Sequence, residues 1–384
     1  MSVIVLKENG ETLRDSFLRI FEKLGFQPNG KVLIKPNFSG RPPIIPGENT
    51  DPQFLRELIG ILIEKGAEEV IIAHGALLGT PDKHFSFEEV INGGGFSFLY
   101  EMPKVKILDL DKEEKELLEF DYIKFLIPKI LRTVDFYINL AKIKTHMEAT
   151  VTFSLKNQMG LASVGDRIRM HKTDLETTIA YLGKLIRRPD FSIVDGIIAM
   201  EGNGPHHGKS KKLDMIVAGD DMVELDSSIC FLLNIDFKKV KHIITAEQLG
   251  IGHFPSEDYL NSISKYKILD FIYAARYEKF GKNIYAWPTT GCSQCITALN
   301  ESGKIVKKHP FKYRKLIKKI FFGNKKINIV IGKADNLKLS ENEKIIAIGH
   351  CAMNFAQRCN KNCVDKCPPT VKETIDHINK EVNL

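Results

Sequence analysis

Six of the chain's seven cysteines fall in its last quarter, at 292, 295, 351, 359, 363 and 367, with Cys230 alone upstream. The pair Cys292-x2-Cys295 lets two thiolates converge on one metal, and distant cysteines can complete a set of four. Iron–sulfur clusters take four thiolates, and structural zinc takes four Cys or His ligands. A disulfide framework belongs to small secreted domains, which a chain of 384 residues does not resemble. The ferredoxin run C-x2-C-x2-C-x3-C-P is absent. Cys359-x3-Cys363-x3-Cys367 is not the C-x3-C-x2-C of radical enzymes that use S-adenosylmethionine. A redox C-x-x-C would leave Cys351 and Cys367 unexplained. A 4Fe-4S cluster is the leading reading and zinc the alternative, because ligand identity alone does not separate iron from zinc. Cys230, within the apolar run 227–233, reads as a small buried hydrophobe.

A second chemistry is written in polar groups that follow apolar, strand-like runs. Lys35-Pro36-Asn37-Phe38-Ser39-Gly40 follows the first, and Lys142-Ile143-Lys144-Thr145-His146 the second. Asp195-Gly196 and then Glu201-Gly202-Asn203-Gly204-Pro205-His206-His207-Gly208 follow the third, and Gly219-Asp220-Asp221 the fourth. Ser154-Leu155-Lys156-Asn157-Gln158-Met159-Gly160 lies beside the second. Lys35, Lys144 and Lys156 offer cationic donors, and Asn37 and Asn157 neutral ones. His146, His171 and His206 add the side-chain type whose ordinary titration lies near neutrality. Such a set suits an anionic small molecule, a carboxylate or a phosphate. Within it His146 is the candidate proton donor, and Asp195 and Glu201 are candidates for a base or a metal ligand. Any one of these clusters alone is more often turn chemistry, and His206-His207 reads as a solvent-exposed loop. Neither a GxGxxG after the first strand nor a GxxxxGK[ST] loop is present, so the nucleotide motifs fail.

The elements that must position these residues alternate. Val3 to Leu6, Lys31 to Ile34 and Val70 to Ala73 read as buried strands. Helical spacing of apolar residues marks 12–24 and, after Asp51 as cap and Pro52 at the first turn, 52–63. The pattern resumes at 136–140, 191–194 and 215–218, followed by a helix over 222–233. This spacing predicts βαβ units and a mostly parallel sheet with flanking helices. In such a sheet ligands bind beyond the carboxyl ends of the strands, so the clusters can share one crevice. Near Ser256 the texture changes. We expect an α/β domain over 1–255 and a smaller cysteine-rich α/β domain over 256–384. Apolar residues at 43% and charged residues at 27% are ordinary globular values, and the net charge of +7 does not by itself argue for nucleic acid. No apolar run reaches the ~18 residues of a membrane span, and the N-terminus lacks a signal peptide's pattern. The expectation is a cytoplasmic protein.

Taken in order, these clusters resemble the domain-of-unknown-function 362 family. The matching stretches are Val32-Leu33-Ile34-Lys35-Pro36-Asn37, then 138–146, 154–160 and 194–202, then Gly204-Pro205 with Gly208, and Ala218-Gly219-Asp220 with Asp226. The likeness covers roughly residues 31–255. It implies an α/β domain that often accompanies iron–sulfur clusters, and a single site containing Lys35, Asn37, Lys144, His146, Lys156 and Asn157. The tail is similar to that of other members, in which a C-x2-C precedes a Gly-x-Cys and a Cys-Pro-Pro. That similarity implies Cys292, Cys295, Cys351 and Cys367 as one ligand set, with Cys359 and Cys363 as alternates.

From Lys304 to Lys326 there are ten Lys/Arg and no Asp/Glu. Apolar residues at 311, 316, 317, 320 and 321 would face one way and lysines the other. Such a helix docks on a membrane, nucleic acid or an acidic protein, here an acidic electron carrier. The plainer reading is a helix that covers the core and turns its lysines to solvent. The expected function is an iron–sulfur redox enzyme acting on an anionic small molecule. A non-catalytic electron carrier or accessory protein, and a zinc-stabilised binding protein, are the alternatives. Nucleic acid is the weakest partner, since no aromatic–basic RNA-binding motif is present.

Overall fold

The computed structural model describes residues 3–7, 11–39, 44–75, 77–80, 83–273, 278–280, 282–287, 293–324, 326–334, 337, 339–340 and 343–383. The chain divides into two compact units, one of residues 1–77 and 85–274, the other of 78–84 and 275–384. The division falls later than the change of texture near Ser256. The Glu257–Ile263 helix and the segment after it belong to the first core: Ile263 and Phe271 are buried in it, and Tyr259, Leu260 and Ile268 pack against it.

The first unit is built on an eight-stranded sheet. Its order is Val3–Lys7, His207–Gly219, Phe191–Asn203, Phe136–His146, Lys31–Lys35, Glu69–His74 and Val105–Asp109, with Thr150–Thr152 pairing the far end of Phe136–His146. The five strands from Phe191–Asn203 to Val105–Asp109 pair in parallel, and Val3–Lys7 and His207–Gly219 close one side antiparallel. Strands buried on both faces need apolar residues at every position. Accordingly Val32, Ile34, Ile138 and Leu140 enter one core, and Leu33, Tyr137, Ala141 and Ile143 the other. Helix Pro52–Glu64 buries Phe54, Leu55, Leu58 and Ile59 in the former. Asp51 caps that helix as its sequence predicts, with Oδ1 accepting from the Gln53 and Phe54 N–H groups at 2.8 and 3.1 Å and Pro52 in the first turn.

Along the chain the parallel strands proceed outward from Lys31–Lys35 through Glu69–His74 to Val105–Asp109. The chain then returns to the other side of Lys31–Lys35 with Phe136–His146 and continues to Phe191–Asn203. The strand order therefore reverses between Lys31–Lys35 and Phe136–His146. That is the topological switch point, where the connections leave in opposite directions, and open α/β sheets bind their ligands at such a point.

The second unit has a five-stranded sheet, in the order Glu278–Phe280, Ile284–Trp287, Ile327–Ile331, Lys344–Ile348 and Cys363–Val364, antiparallel at the first pair and parallel thereafter. Helices Ser293–Lys308, Arg314–Phe322 and Val371–Asn383 belong to the same unit. Among the described residues no helix is long and apolar enough to cross a membrane.

Candidate functional site

The two strands that flank the switch point carry the lysines. Lys35 ends one, and Lys142, Lys144 and His146 alternate along the end of the other, all nearly inaccessible to solvent. The four-residue helix Ser154–Asn157 is held beneath them by Asp226. Its carboxylate accepts the Ser154 N–H at 2.8 Å, the Ser154 hydroxyl at 2.6 Å and the Leu155 N–H at 2.9 Å. Burial pushes the Asp226 carboxyl up to about 6. So anchored, Asn157 ties the site together. Its Oδ1 accepts from Lys35 Nζ at 2.8 Å and from Asn37 Nδ2 at 3.0 Å. Its Nδ2 donates to Asn139 Oδ1 at 2.7 Å and to the Lys35 and Leu140 carbonyls at 3.2 and 3.3 Å.

The three lysines differ in what remains to them. Lys144 Nζ donates to Asn37 Oδ1 at 2.8 Å, to the Glu48 carbonyl at 2.7 Å and to Ser39 Oγ, which occupies its three protons with neutral acceptors. Lys35 spends one proton, on Asn157. Lys156 Nζ has only the Met159 thioether at 4.0 Å among the described residues. Desolvation holds the Lys35 ammonium well below the usual lysine range, with Arg167, Lys144 and Lys156 adding repulsion. Desolvation also brings Lys144 down to about 7, though Glu48 opposes it, and Lys156 to about 8, though Glu148 opposes it. Both carboxylates are already engaged by histidines, Glu48 Oε1 with His206 Nδ1 at 2.6 Å and Glu148 Oε2 with His171 Nδ1 at 2.8 Å. His206 therefore departs from the expected exposed loop, because Glu48 holds its ring against the unit and leaves the side chain 13% exposed.

Two buried histidines carry opposite tautomers. His146 Nδ1 accepts the N–H groups of Glu148 and Ala149 at 3.2 and 3.1 Å, so its proton sits on Nε2. His74, at the end of the Glu69–His74 strand, turns Nδ1 to the carbonyl of Gly75, which only accepts, so Nδ1 carries the proton and Nε2 the lone pair. Desolvation drives both rings well below the usual histidine range. Lys35, Arg167 and Lys144 repel a proton on His74, and Lys156, His171, Lys144 and His206 repel one on His146. Both are therefore neutral near neutrality. Gly160 brings Lys35 and His74 together: a Cβ there would stand 2.7 Å from Lys35 Nζ and 3.4 Å from His74 Nε2. His74 ends an ordinary apolar run, and nothing in the local pattern marks it as a site residue. Arg167, bound to Asp111 through Nη2 at 2.9 and 3.1 Å, was equally silent.

The acidic candidates sit elsewhere in the network. Asp195 Oδ2 takes the buried Lys142 ammonium at 2.6 Å and the Asp51 N–H at 3.0 Å, and Oδ1 takes the Ile197 N–H at 3.1 Å. Glu201 Oε2 lies 3.3 Å from Lys211 Nζ and accepts the Ile272 N–H at 3.0 Å. Both brace the walls, and neither contacts the three lysines above.

In the second unit the thiols collect at the end of the Lys344–Ile348 strand. Gly349 has φ +89°, and a Cβ there would lie 3.0 Å from Cys295 Sγ. Cys363, paired in register with Ala347, donates its thiol to the Gly349 carbonyl at 3.4 Å. Burial, Asp365 and Cys351 push that thiol up to about 12. Cys351 lies in the turn His350–Ala352 just after Gly349, and Cys367 follows Lys366, whose carbonyl accepts the His350 N–H at 3.0 Å. Cys359 packs instead with Val330, Ile345 and Phe355. Cys292 lies outside the described residues. Among those described, no three His, Cys, Asp or Glu side chains close on a point as around a metal ion. The donor chemistry at Gly349 is thiol, which suits iron–sulfur or zinc over a hard cation. Cys230 is buried as expected, and desolvation pushes its thiol well up.

Compared with known proteins, the chain is 26% identical over 267 residues to a thylakoid-associated protein of Synechocystis sp., covering 64% of this chain and 78% of that one. Among solved structures it is similar to the lactate racemase apoprotein of Thermoanaerobacterium thermosaccharolyticum, with 15% identity, a TM-score of 0.40, and 97% of this chain and 79% of that one covered. Residues 32–231 match the family described as domain of unknown function (DUF362), a span that contains Lys35, His74, Lys144, His146 and Asn157, and the chain belongs to that family.

Proposed function

We propose that the chain is an enzyme that binds a small carboxylate or phosphate at the switch point, and that its second unit carries a 4Fe-4S cluster. The observation behind the first half is that the ammonium groups of Lys35, Lys144 and Lys156 meet only neutral acceptors among the described residues. An anion supplies the charge that burial denies them. Lys35 and Lys156 retain protons to donate to it. Lys144 holds Asn37, Ser39 and the Glu48 backbone in place. His146 offers an Nε2–H as proton donor and His74 an Nε2 lone pair as acceptor, so a substrate between them can give up one proton and receive another. Asp195 and Glu201 position the walls.

Cys292, Cys295, Cys351 and Cys367, with Cys363 as the alternate, would hold the cluster, which supplies one-electron chemistry when bound. Zinc on the same thiols is the competing occupant.

Two measurements test the halves separately. Titration calorimetry with a panel of carboxylates and phosphates should find a ligand whose affinity is lost in the Lys35→Met/Lys156→Met variant. Retained affinity rejects the shared crevice. Anaerobic purification should give iron and sulfide near about four per chain and a broad absorbance that bleaches on reduction. One zinc and no colour rejects the cluster. Reoxidation of the reduced protein only in the presence of ligand separates an enzyme from an electron carrier.

A further inference from the structure

Helix Arg314–Phe322 of the second unit turns an unusual mixture outward. Its inner face is apolar, with Leu316 2% exposed and Ile317 and Ile320 half-buried. Its outer face places Lys315, Lys318 and Phe322 at i, i+3 and i+7, one above the other. Phe322 is 78% exposed and Phe321, beside it, 49%. Phe311, in the turn before the helix, is 91% exposed. A helix that merely covers a core and solvates its lysines has no reason to hold three phenyl rings in water.

The charge around the rings is one-sided. Within 304–326 there are ten Lys/Arg and no Asp/Glu. Lys304 pairs with Glu301, Lys326 with Glu343, and Lys319 donates to the Val382 carbonyl. Lys307, Lys308, Lys312, Arg314, Lys315 and Lys318 have no carboxylate partner among the described residues. Beneath the helix lies an apolar cavity of about 330 Å³, walled by Leu299, Val306, Leu316, Ile317, Ile320 and Phe321. Phe321 thus belongs both to the cavity wall and to the exposed face.

We propose that this face docks on an anionic lipid surface, with Phe311 and Phe322 entering the headgroup region and the flanking lysines meeting lipid phosphates. Rings at both ends of a short basic helix fit a fluid interface, which receives apolar and cationic groups in any arrangement. An acidic protein, such as an electron carrier, would meet the lysines but would need an apolar pocket matched to each widely spaced ring, which a fluid interface does not. The cavity offers an acyl chain an apolar place under the same helix.

Sedimentation of the full chain with vesicles tests this. Binding to phosphatidylcholine vesicles containing phosphatidylglycerol should be clear, and binding to pure phosphatidylcholine weak. Phe311→Ser/Phe322→Ser and Lys315→Glu/Lys318→Glu should each lower partitioning by about tenfold or more. All four side chains are exposed, so circular dichroism should be unchanged. Absence of binding to anionic vesicles overturns the proposal. Full binding by the double Phe→Ser variant also overturns it, and assigns the surface to purely ionic contact of the kind an acidic electron carrier makes.

Discussion

Lys144 donates all three of its protons to neutral oxygens, whereas Lys156 donates none to an oxygen of the described residues. The difference separates a lysine whose protons are all spent within the network from one whose protons remain available to the proposed anion. Gly160 sets the distance between Lys35 and His74, so Gly160→Ala should displace the Lys35 ammonium and weaken anion binding at least about tenfold. The fold should survive, because the atoms a Cβ meets first, Cε and Nζ at 2.7 Å, end a side chain; calorimetry and a melting curve check both statements. The lysines also predict a pH dependence. Their folded pKa values, about 7 for Lys144 and about 8 for Lys156, lie below the unfolded value near 10.4. Between those limits the unfolded chain binds more protons, so without a ligand these groups make stability rise with pH from about 7 towards 10. Denaturant melts should show this slope, reduced in Lys144→Met. A bound anion restores the ammonium form. Binding at about pH 8.5 should therefore take up protons, measured by calorimetry in buffers of different ionisation heat.

At the scale of elements, the apolar centres of the strands were legible, since parallel strands covered on both faces must be apolar throughout. Their ends were not. Phe136–His146 and Phe191–Asn203 run well past 140 and 194 because Lys142 and Asp195 pair with each other inside the sheet, and no local pattern announces a partner 53 residues away. The set Lys35, Asn37, Lys144, His146 and Asn157 was readable as polar groups after strand-like runs. His74 and the Glu48–His206 and Asp111–Arg167 pairs were not, since each depends on which strands become neighbours. Helix Ser154–Asn157 is too short to stand alone and rests on Asp226. Asp226→Ala should cost about 2–3 kcal/mol, by removing a cap and leaving buried donors unpaired. It should also abolish anion binding, because Asn157 loses its footing.

For the whole molecule, the two compact units carry separate cores, and the proposed anion site and metal site fall one in each. Calorimetric unfolding should show two transitions. Removing metal with a chelator under reducing conditions should lower only the one that belongs to residues 275–384. A shift of both transitions, or of neither, would contradict a metal confined to the second unit. The first unit draws its cations from strand ends and a helix far apart in sequence, at 35, 144 and 156, and arranges neutral amides between them. An anion site of this make would select by charge before shape. A neutral amide or ester of the right size would fit among the same groups yet leave the ammoniums uncompensated. A ligand that gains a negative charge during reaction would be held more tightly as it does so. The crevice would thus admit substrates, and retain or release products, according to the charge they carry.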